Sequence, residues 1–350
     1  MTDTEAGAPI IALQDDELKD IFRHIGNKKH VVVAVSGGPD SMALMAAVAR
    51  FHELYAPDLK IHIATVDHGL REESRQEAEM VKDISHKLGL PFHLLTWTGE
   101  KPETGIQEMA RDARYGLLLK LCHDLRADFL LTAHTLDDQA ETFMMRMARG
   151  SGLSGLQAMR IVRDLEGVKH IRPLLHISKQ RLIATCEKWD IPFINDPSNV
   201  NDHYTRVRWR KLLPVLADEG LTAQKLMVLS ERIERAENAL DQKATEAFER
   251  ALVSKKTEDN LELDFNKLRQ EPEEIILRVL VQAILQVSGK KDHLRLQRVE
   301  GYIAALLSAL ENNLAERRTL GGVMLFLKKN SVLTLAKEPV RQRGRGAESH

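Results

Sequence analysis

Val31-Val32-Val33-Ala34-Val35, Ser36-Gly37-Gly38-Pro39-Asp40-Ser41 and Met42-Ala43-Leu44-Met45-Ala46 follow one another without interruption. The first five residues read as a buried strand, the last five as the start of a helix, and a turn with two glycines joins them. A strand that runs through such a turn into a helix leaves backbone N–H groups where an anion can sit. Glycine permits the φ values and the close approach, and the helix N-terminus adds a favourable dipole. Pro39 suits the first helical turn, where its absent N–H is not needed. Ser36 and Ser41 add hydroxyl donors, and Asp40 can hold Mg²⁺ or a proton. No Gly-Lys-Ser/Thr follows at the Walker A spacing, so this is a different kind of phosphate loop. A plain strand-to-helix turn capped by Asp40 and Ser41 would use the same residues.

Outward from this loop, four short apolar runs alternate with helical stretches. The runs are His30–Val35, Ile61–Val66, Phe92–Trp97 and Phe129–Ala133; the stretches are Ser41–Leu54, Ser74–Leu88 and Ile106–Leu125. This alternation predicts βαβ units and an α/β, Rossmann-like parallel sheet, with ligands at the carboxyl ends of the strands. Polar residues do follow those ends: SGGPDS, then DHGLR, then AHTLDDQAET. From about residue 216 the pattern changes. Leu221–Lys256, Pro272–Val287 and Leu294–Leu310 have helical spacing, and RRTLGGVMLFLKKNSVLTLAKE reads as a β-hairpin turning at Lys329-Asn330. The expected organisation is a nucleotide-binding domain over residues 1–215 and a mainly helical domain over residues 216–350, with RQRGRGAESH as a disordered tail.

Several classes are excluded by composition. No run approaches the roughly 18 apolar residues of a membrane span. The acidic start MTDTEAGAPIIALQDDELKD does not read as a signal peptide, so the cytoplasm is the default compartment. Cys122 and Cys186 are the only cysteines, too far apart for a C-x-x-C centre or a disulfide framework. Net charge is only −1, but it is unevenly spread: residues 1–141 carry −9, residues 142–215 carry +7 and residues 216–350 carry +1. A basic segment after an acidic one suits a region that meets a polyanion, and also suits uneven solvated surface.

Three clusters carry candidate chemistry. In Thr65-Val66-Asp67-His68-Gly69-Leu70-Arg71, His68 stands beside a nucleotide bound at the strand ends, or merely in a capped turn. In Gln107–Tyr115, Arg111 and Arg114 lie three residues apart on one helical face, able to brace phosphates or to form local ion pairs. Thr132–Thr142 is sharper: His134 sits at a strand end, and Asp137, Asp138 and Glu141 share one face of the helix that follows. Carboxylates so close together are unfavourable without a cation, a metal or an ammonium group. Helix capping explains the two aspartates but not Glu141 or His134.

Taken together, SGGPDS, VDHGLREES, QEMARDARY, TAHTLDDQAET and RGSGLSGLQAM resemble the tRNA(Ile)-lysidine synthetase family of PP-loop ATP pyrophosphatases. RPLL at Arg172–Leu175, DPSN at Asp196–Asn199 and RRTLGG at Arg317–Gly322 add to it. The likeness is close over residues 28–215 and looser beyond. It implies that ATP, with Mg²⁺, adenylates O2 of the wobble cytidine of tRNA(Ile) with a CAU anticodon. The ε-amine of free lysine then displaces AMP.

The resemblance also implies site residues. Ser36, Gly37, Gly38, Pro39, Asp40, Ser41 and His68 would hold the nucleotide, with Asp40 at the metal. Arg114 and Arg206 would stand near the reacting groups, and Asp138 and Glu141 around the lysine ammonium. His134 is the candidate base nearest in sequence. The Arg206 stretch, Tyr204-Thr205-Arg206-Val207-Arg208-Trp209-Arg210, departs from the family's R-N-x-x-R pattern at Val207 and carries a bulky Trp209. The basic segment with Arg146, Arg149, Arg160, Arg163 and the Arg206–Lys211 cluster would face the anticodon stem, with Tyr204 or Trp209 stacking on a base or buried in a core. Expected partners are the tRNA and free lysine, with a homodimer left open and no membrane. Two rival readings are a PP-loop tRNA thiolase and a catalytically silent RNA-binding module.

Overall fold

The β-branched run that opens the chain's first motif becomes the centre of a sheet. The computed structural model describes residues 10–26, 29–69, 73–98, 106–194, 205–257, 260–289, 294 and 296–339. The chain divides into two compact units, Met1–Ile233 and Glu234–His350.

The first unit contains, in chain order, α1 (Glu17–Ile21), β1 (His30–Ala34), α2 (Pro39–Tyr55), β2 (Lys60–Asp67), α3 (Glu73–Lys87), β3 (Phe92–Thr96) and α4 (Ile106–Leu125). It continues with β4 (Phe129–Leu131), α5 (Leu136–Ala148), α6 (Leu153–Leu156), β5 (Val162–Leu165), β6 (Val168–Ile171), α7 (Lys179–Lys188) and α8 (Thr205–Asp218), and α9 (Ala223–Ala251) begins in it. The strand order is β3-β2-β1-β4-β6-β5, parallel throughout except for β5 against β6. Order reverses between β1 and β4, the switch point at which such sheets bind ligands.

β1 explains the architecture. Val31, Val32 and Val33 are all fully buried, as expected of a central parallel strand covered on both faces. Val31, Val33 and Val35 join Met42, Leu44, Met45 and Val48 of α2 in one core, while Val32 faces Leu118 and Cys122 of α4 in another. Alternation along the strand therefore divides one apolar run between two helical layers.

The expected sheet is observed, with one addition at its edge. β5 and β6 form an antiparallel hairpin, turning at Glu166 and Gly167 with φ values of 53° and 86°. The positive pair is what a two-residue hairpin turn demands. Val162-Arg163-Asp164-Leu165 and Val168-Lys169-His170-Ile171 are short and do not alternate, so the sequence carries little sign of this hairpin beyond the glycine at its turn.

The second unit contains β7 (Leu252–Thr257), β8 (Asn260–Asp264), α10 (Phe265–Leu268), α11 (Glu273–Ser288), α12 (Leu296–Glu311), β9 (Glu316–Leu320), β10 (Val323–Leu327) and β11 (Val332–Lys337). The expected helices are present. The expected terminal hairpin is part of something larger: a five-stranded antiparallel sheet of order β7-β8-β11-β10-β9. Leu325, Leu335, Leu263, Ile276, Leu280 and Ile303 close its core against α11 and α12. Short, charged strands such as Glu316–Leu320 lack the apolar alternation that would mark them in sequence. The boundary expected at 215/216 falls inside α8, whereas the compact units part at Ile233/Glu234. DPSN, Tyr204 and the RQRGRGAESH tail lie outside the described residues.

Candidate functional site

At the carboxyl end of β1 the turn takes the form its glycines allow. Gly37 has φ +84°, which a side chain would strain, and Gly38 caps α2 with extended backbone and no side-chain cap. A Cβ built on Gly38 meets nothing within 4 Å, so open space lies directly above the loop. Pro39 takes the first position of α2. Ser41 Oγ donates to Gly38 O at 2.9 Å and accepts from the Ser36 amide at 3.1 Å, which braces the loop from within. The Asp40 and Ser41 amides lie in the first turn of α2, where a helix has no internal acceptor for them. Together with the amides of Gly37 and Gly38 they donate to no described residue. Amides so arranged have the geometry that an anion site requires.

Folding changes Asp40 strongly. Its Oδ1 is buried without a hydrogen-bond partner, and Lys179 Nζ lies 3.8 Å from Oδ2. Burial, opposed by Lys179 and reinforced by Asp138 and Asp137, lifts its pKa to about 6. Asp40 therefore shares one electrostatic neighbourhood with the acidic cluster of α5. Lys179 opens α7, a position the helix dipole disfavours for a cation. Its ion pair with Asp40 offsets that, and its amide donates to Asp137 Oδ2 at 2.8 Å.

On α5, Asp138 completes a capping box with Thr135: its Oδ2 accepts from the Thr135 amide at 3.0 Å. Its Oδ1 faces Arg210, 3.6 Å away. Glu141 is 1% exposed, takes Arg210 Nε at 2.5 Å on Oε1, and has no partner for Oε2. Burial pushes the Glu141 carboxyl above its ordinary range, although Arg210 pulls the other way. Two buried carboxylate oxygens without partners, Asp40 Oδ1 and Glu141 Oε2, thus belong to one acidic neighbourhood bridged by Asp138. Such atoms are costly unless a cation meets them.

A second group assembles around His134. Burial, then the charges of Arg172, Arg111, Arg114 and Arg206, push its pKa down to about 3. The sequence-predicted Arg114, His134 and Arg206 are therefore neighbours, and Arg206 also acts on Glu141, which joins both groups. His134 Nδ1 meets Thr132 Oγ1 at 2.8 Å, and the same hydroxyl meets His170 Nε2 at 2.8 Å. A ring so held is neutral at pH 7, and its conjugate acid is too strong to retain a proton taken from an amine. The expectation that His134 acts as the base meets this obstacle.

His68 follows β2 at the same edge of the sheet, with its ring edge-on to Trp97 at 6.1 Å between centroids. Trp209 packs against Phe143, Met144 and Leu226 in a small core, a bland role that the sequence left open. Sequence reasoning assigned no role to Lys179, Thr132 or His170, and it read Arg210 only as part of a basic surface for the anticodon stem, whereas its guanidinium pairs with Asp138 and Glu141. Lys179 and Arg210 had no local mark beyond their charge, because their partners lie 139 and 69 positions away (Asp40, Glu141).

Cys122 and Cys186 are buried in different cores, and burial pushes both thiols up to about 12. Neither is poised as a thiolate for sulfur transfer. Among the described residues, no helix is long and apolar enough to cross a membrane.

Comparison with known proteins agrees with this geometry. Residues 13–216 match the PP-loop domain family. A tRNA(Ile)-lysidine synthase of Methylobacterium nodulans is 44% identical over 343 residues, covering 97% of this chain and 100% of that protein. One from Bradyrhizobium diazoefficiens is 39% identical, covering 93% of this chain and 95% of the relative. Among solved structures, the U34-tRNA thiolase NcsA from Methanococcus maripaludis, with its 4Fe-4S cluster, superposes with a TM-score of 0.55 at 17% identity. It covers 63% of this chain and 78% of that one, a likeness of fold alone. With its phosphate loop, its buried acidic cluster and relatives matched end to end, the chain belongs to the tRNA(Ile)-lysidine synthase family, within the PP-loop enzymes.

Proposed function

We propose that this chain is an ATP-dependent ligase. It joins the ε-amine of free lysine to C2 of the wobble cytidine in tRNA(Ile) with a CAU anticodon, releasing AMP and pyrophosphate. One observation carries the reading: the phosphate loop and the acidic cluster act on each other through Asp40 and Asp138. A triphosphate and a cationic nucleophile bound to these groups would therefore meet.

Cytosine O2 is a poor leaving group, so an amine cannot expel it directly. In the first step O2 attacks the α-phosphorus, the α–β phosphoanhydride breaks, and pyrophosphate departs. The amides of Gly37, Gly38, Asp40 and Ser41 receive the phosphates, and Arg114 and Arg206 offset the developing charge. Asp40 suits Mg²⁺: its buried Oδ1 has no partner, and a cation would reverse the penalty that lifts its pKa. Mg²⁺, when bound, supplies charge neutralisation on the phosphates.

In the second step the lysine nitrogen attacks C2 and AMP leaves with the bond electrons. Free lysine has a pKa of about 10.4, so roughly one amine in 10³ is neutral at pH 7. Glu141 addresses this conflict between recognition and activation. Its Oε2 accepts the ammonium while Oε1 stays with Arg210, and its raised pKa suits it to take a proton from the ammonium, freeing the nitrogen lone pair that then attacks C2. His134 serves as a neutral hydrogen-bonding group in this scheme.

The test is mass analysis of a CAU-anticodon tRNA(Ile) transcript after incubation with ATP, Mg²⁺ and isotopically labelled lysine. The label should enter at the wobble cytidine with stoichiometric pyrophosphate. Pyrophosphate without label, or label on a different nucleoside, refutes the assignment.

A further inference from the structure

A second group of cations borders the site and has no task in the scheme above. Arg111 and Tyr115 stand one turn apart on α4, Arg163 of β5 pairs with His170 of β6, and Arg172 follows β6. Between α4 and this hairpin opens a cleft of about 610 Å³, lined by all five.

Two features set the cleft apart from an ordinary basic surface. The first is burial without partners. His170 is 1% exposed and Arg172 5% exposed, yet His170 Nδ1 and Arg172 Nε have no hydrogen-bond partner, and the buried Tyr115 hydroxyl has only the Arg172 guanidinium beside it. The Tyr115 ring stands edge-on to His170 at 5.5 Å, with the Arg111 guanidinium 5.1 Å from its centroid. The second is uncompensated charge. Asp112 and Glu166 also border the cleft, but Arg111, Arg163 and Arg172 form no ion pair with any described residue. Arg172 gives one N–H to Arg160 O at 2.6 Å and has the Tyr115 hydroxyl as a polar neighbour, but burial and the like charges of Arg163 and Arg111 hold its pKa below the ordinary range. Leaving a buried guanidinium without a counter-charge is costly, and several such groups together repel one another.

An anion with several oxygens would satisfy these donors at once, and bidentate guanidinium contacts favour phosphate geometry. The volume suits more than a free ion: it has the size of a small-molecule site, room for a phosphate with the sugar or base attached to it. We propose that the cleft is a phosphodiester subsite for the substrate RNA, with Arg111 and Arg163 at its mouth and Arg172 and His170 at its floor. It rests on the RNA substrate proposed above. Arg111 and Arg172 also act on His134, so the subsite adjoins the reacting groups and holds the strand next to the base that reacts.

Arg111→Gln/Arg163→Gln in the full chain tests this, both positions being exposed and outside the cores. Binding is measured separately for a CAU-anticodon tRNA(Ile) transcript, for ATP and for inorganic pyrophosphate. The tRNA Kd should rise about tenfold at 0.1 M salt, and the slope of log K against log salt should shrink by about 1.4, two single-strand contacts at about 0.7 each. ATP and pyrophosphate affinities should not move. An unchanged tRNA Kd and salt slope overturns the proposal. So does weakened ATP or pyrophosphate binding with tRNA intact, which would give these cations to the nucleotide. If the wild-type chain forms no lysidine while the double variant still loses tRNA affinity and salt slope, the reaction assignment fails and the subsite stands.

Discussion

Replacing Glu141 by glutamine separates charge from shape at the centre of the acidic cluster. Glu141→Gln keeps the length and an acceptor oxygen for Arg210, which now donates to Oε1 at 2.5 Å. Two stability effects oppose each other. The charge-assisted bond weakens, a loss of about 1–2 kcal/mol. The variant also no longer ionises a group that is 1% exposed and whose carboxyl is pushed up by burial. Removing that desolvation returns a similar amount, so the unfolding free energy should change by no more than about 1 kcal/mol. Lysine use should suffer much more. An ammonium that meets Oε2 loses a charged partner worth about 2 kcal/mol, which is about 30-fold in KM for lysine. Labelled-lysine incorporation gives that KM, urea unfolding gives the stability, and tRNA-dependent pyrophosphate release reports adenylation alone. A lysine KM within threefold of wild type refutes the placement of the ammonium. Pyrophosphate release falling in step with lysine incorporation refutes the division of labour between loop and cluster.

Asp138→Asn should also impair lysine use far more than ATP binding. It should destabilise the chain by about 0.5–1 kcal/mol because the capping box is weakened, readable in the urea midpoint; equal losses for lysine and ATP would show the carboxylate misplaced. Gly37→Ala and Gly38→Ala should differ in kind. The first forces a side chain into φ +84° and lowers the melting temperature by a cost of about 1–2 kcal/mol. The second meets nothing within 4 Å and spares stability, but stands where phosphate approaches and raises the KM for ATP; a G38A chain with normal ATP kinetics would place the phosphates elsewhere.

Acid should destabilise the free protein. His134 and His170 have folded pKa values of about 3, below the ordinary imidazole value, so the unfolded chain binds the extra protons and stability falls from about pH 6.5 downward. Asp40, raised to about 6, works in the opposite sense below that pH and offsets about one of the two histidines. These three groups together contribute a slope of about 1.4 kcal/mol per pH unit near pH 5, and His62, held at about 4, adds in the same direction. Urea unfolding at pH 7, 6 and 5 checks it, and a stability that stays flat or rises on acidification refutes the buried, neutral assignment of the pair.

What the sequence determined was local. The valine run, the two-glycine turn and the helix that follows specify a phosphate loop because strand burial, positive φ and an open helix terminus each depend on residues only a few positions apart. Asp138 and Glu141 share a face for the same reason, the period of the helix. What only the tertiary structure decided involves distance along the chain. Lys179 faces Asp40, and Arg210 bridges Asp138 and Glu141, because the ends of separate elements converge at the switch point of the sheet. Nothing local to α7 or α8 encodes that meeting. The lowered proton affinity of His134 is of the same origin: burial and four arginines set it, and no pattern around His134 carries that information. The β5–β6 hairpin, and with it the cationic cleft, likewise depends on which strand edge is left uncovered once the parallel sheet has closed around β1.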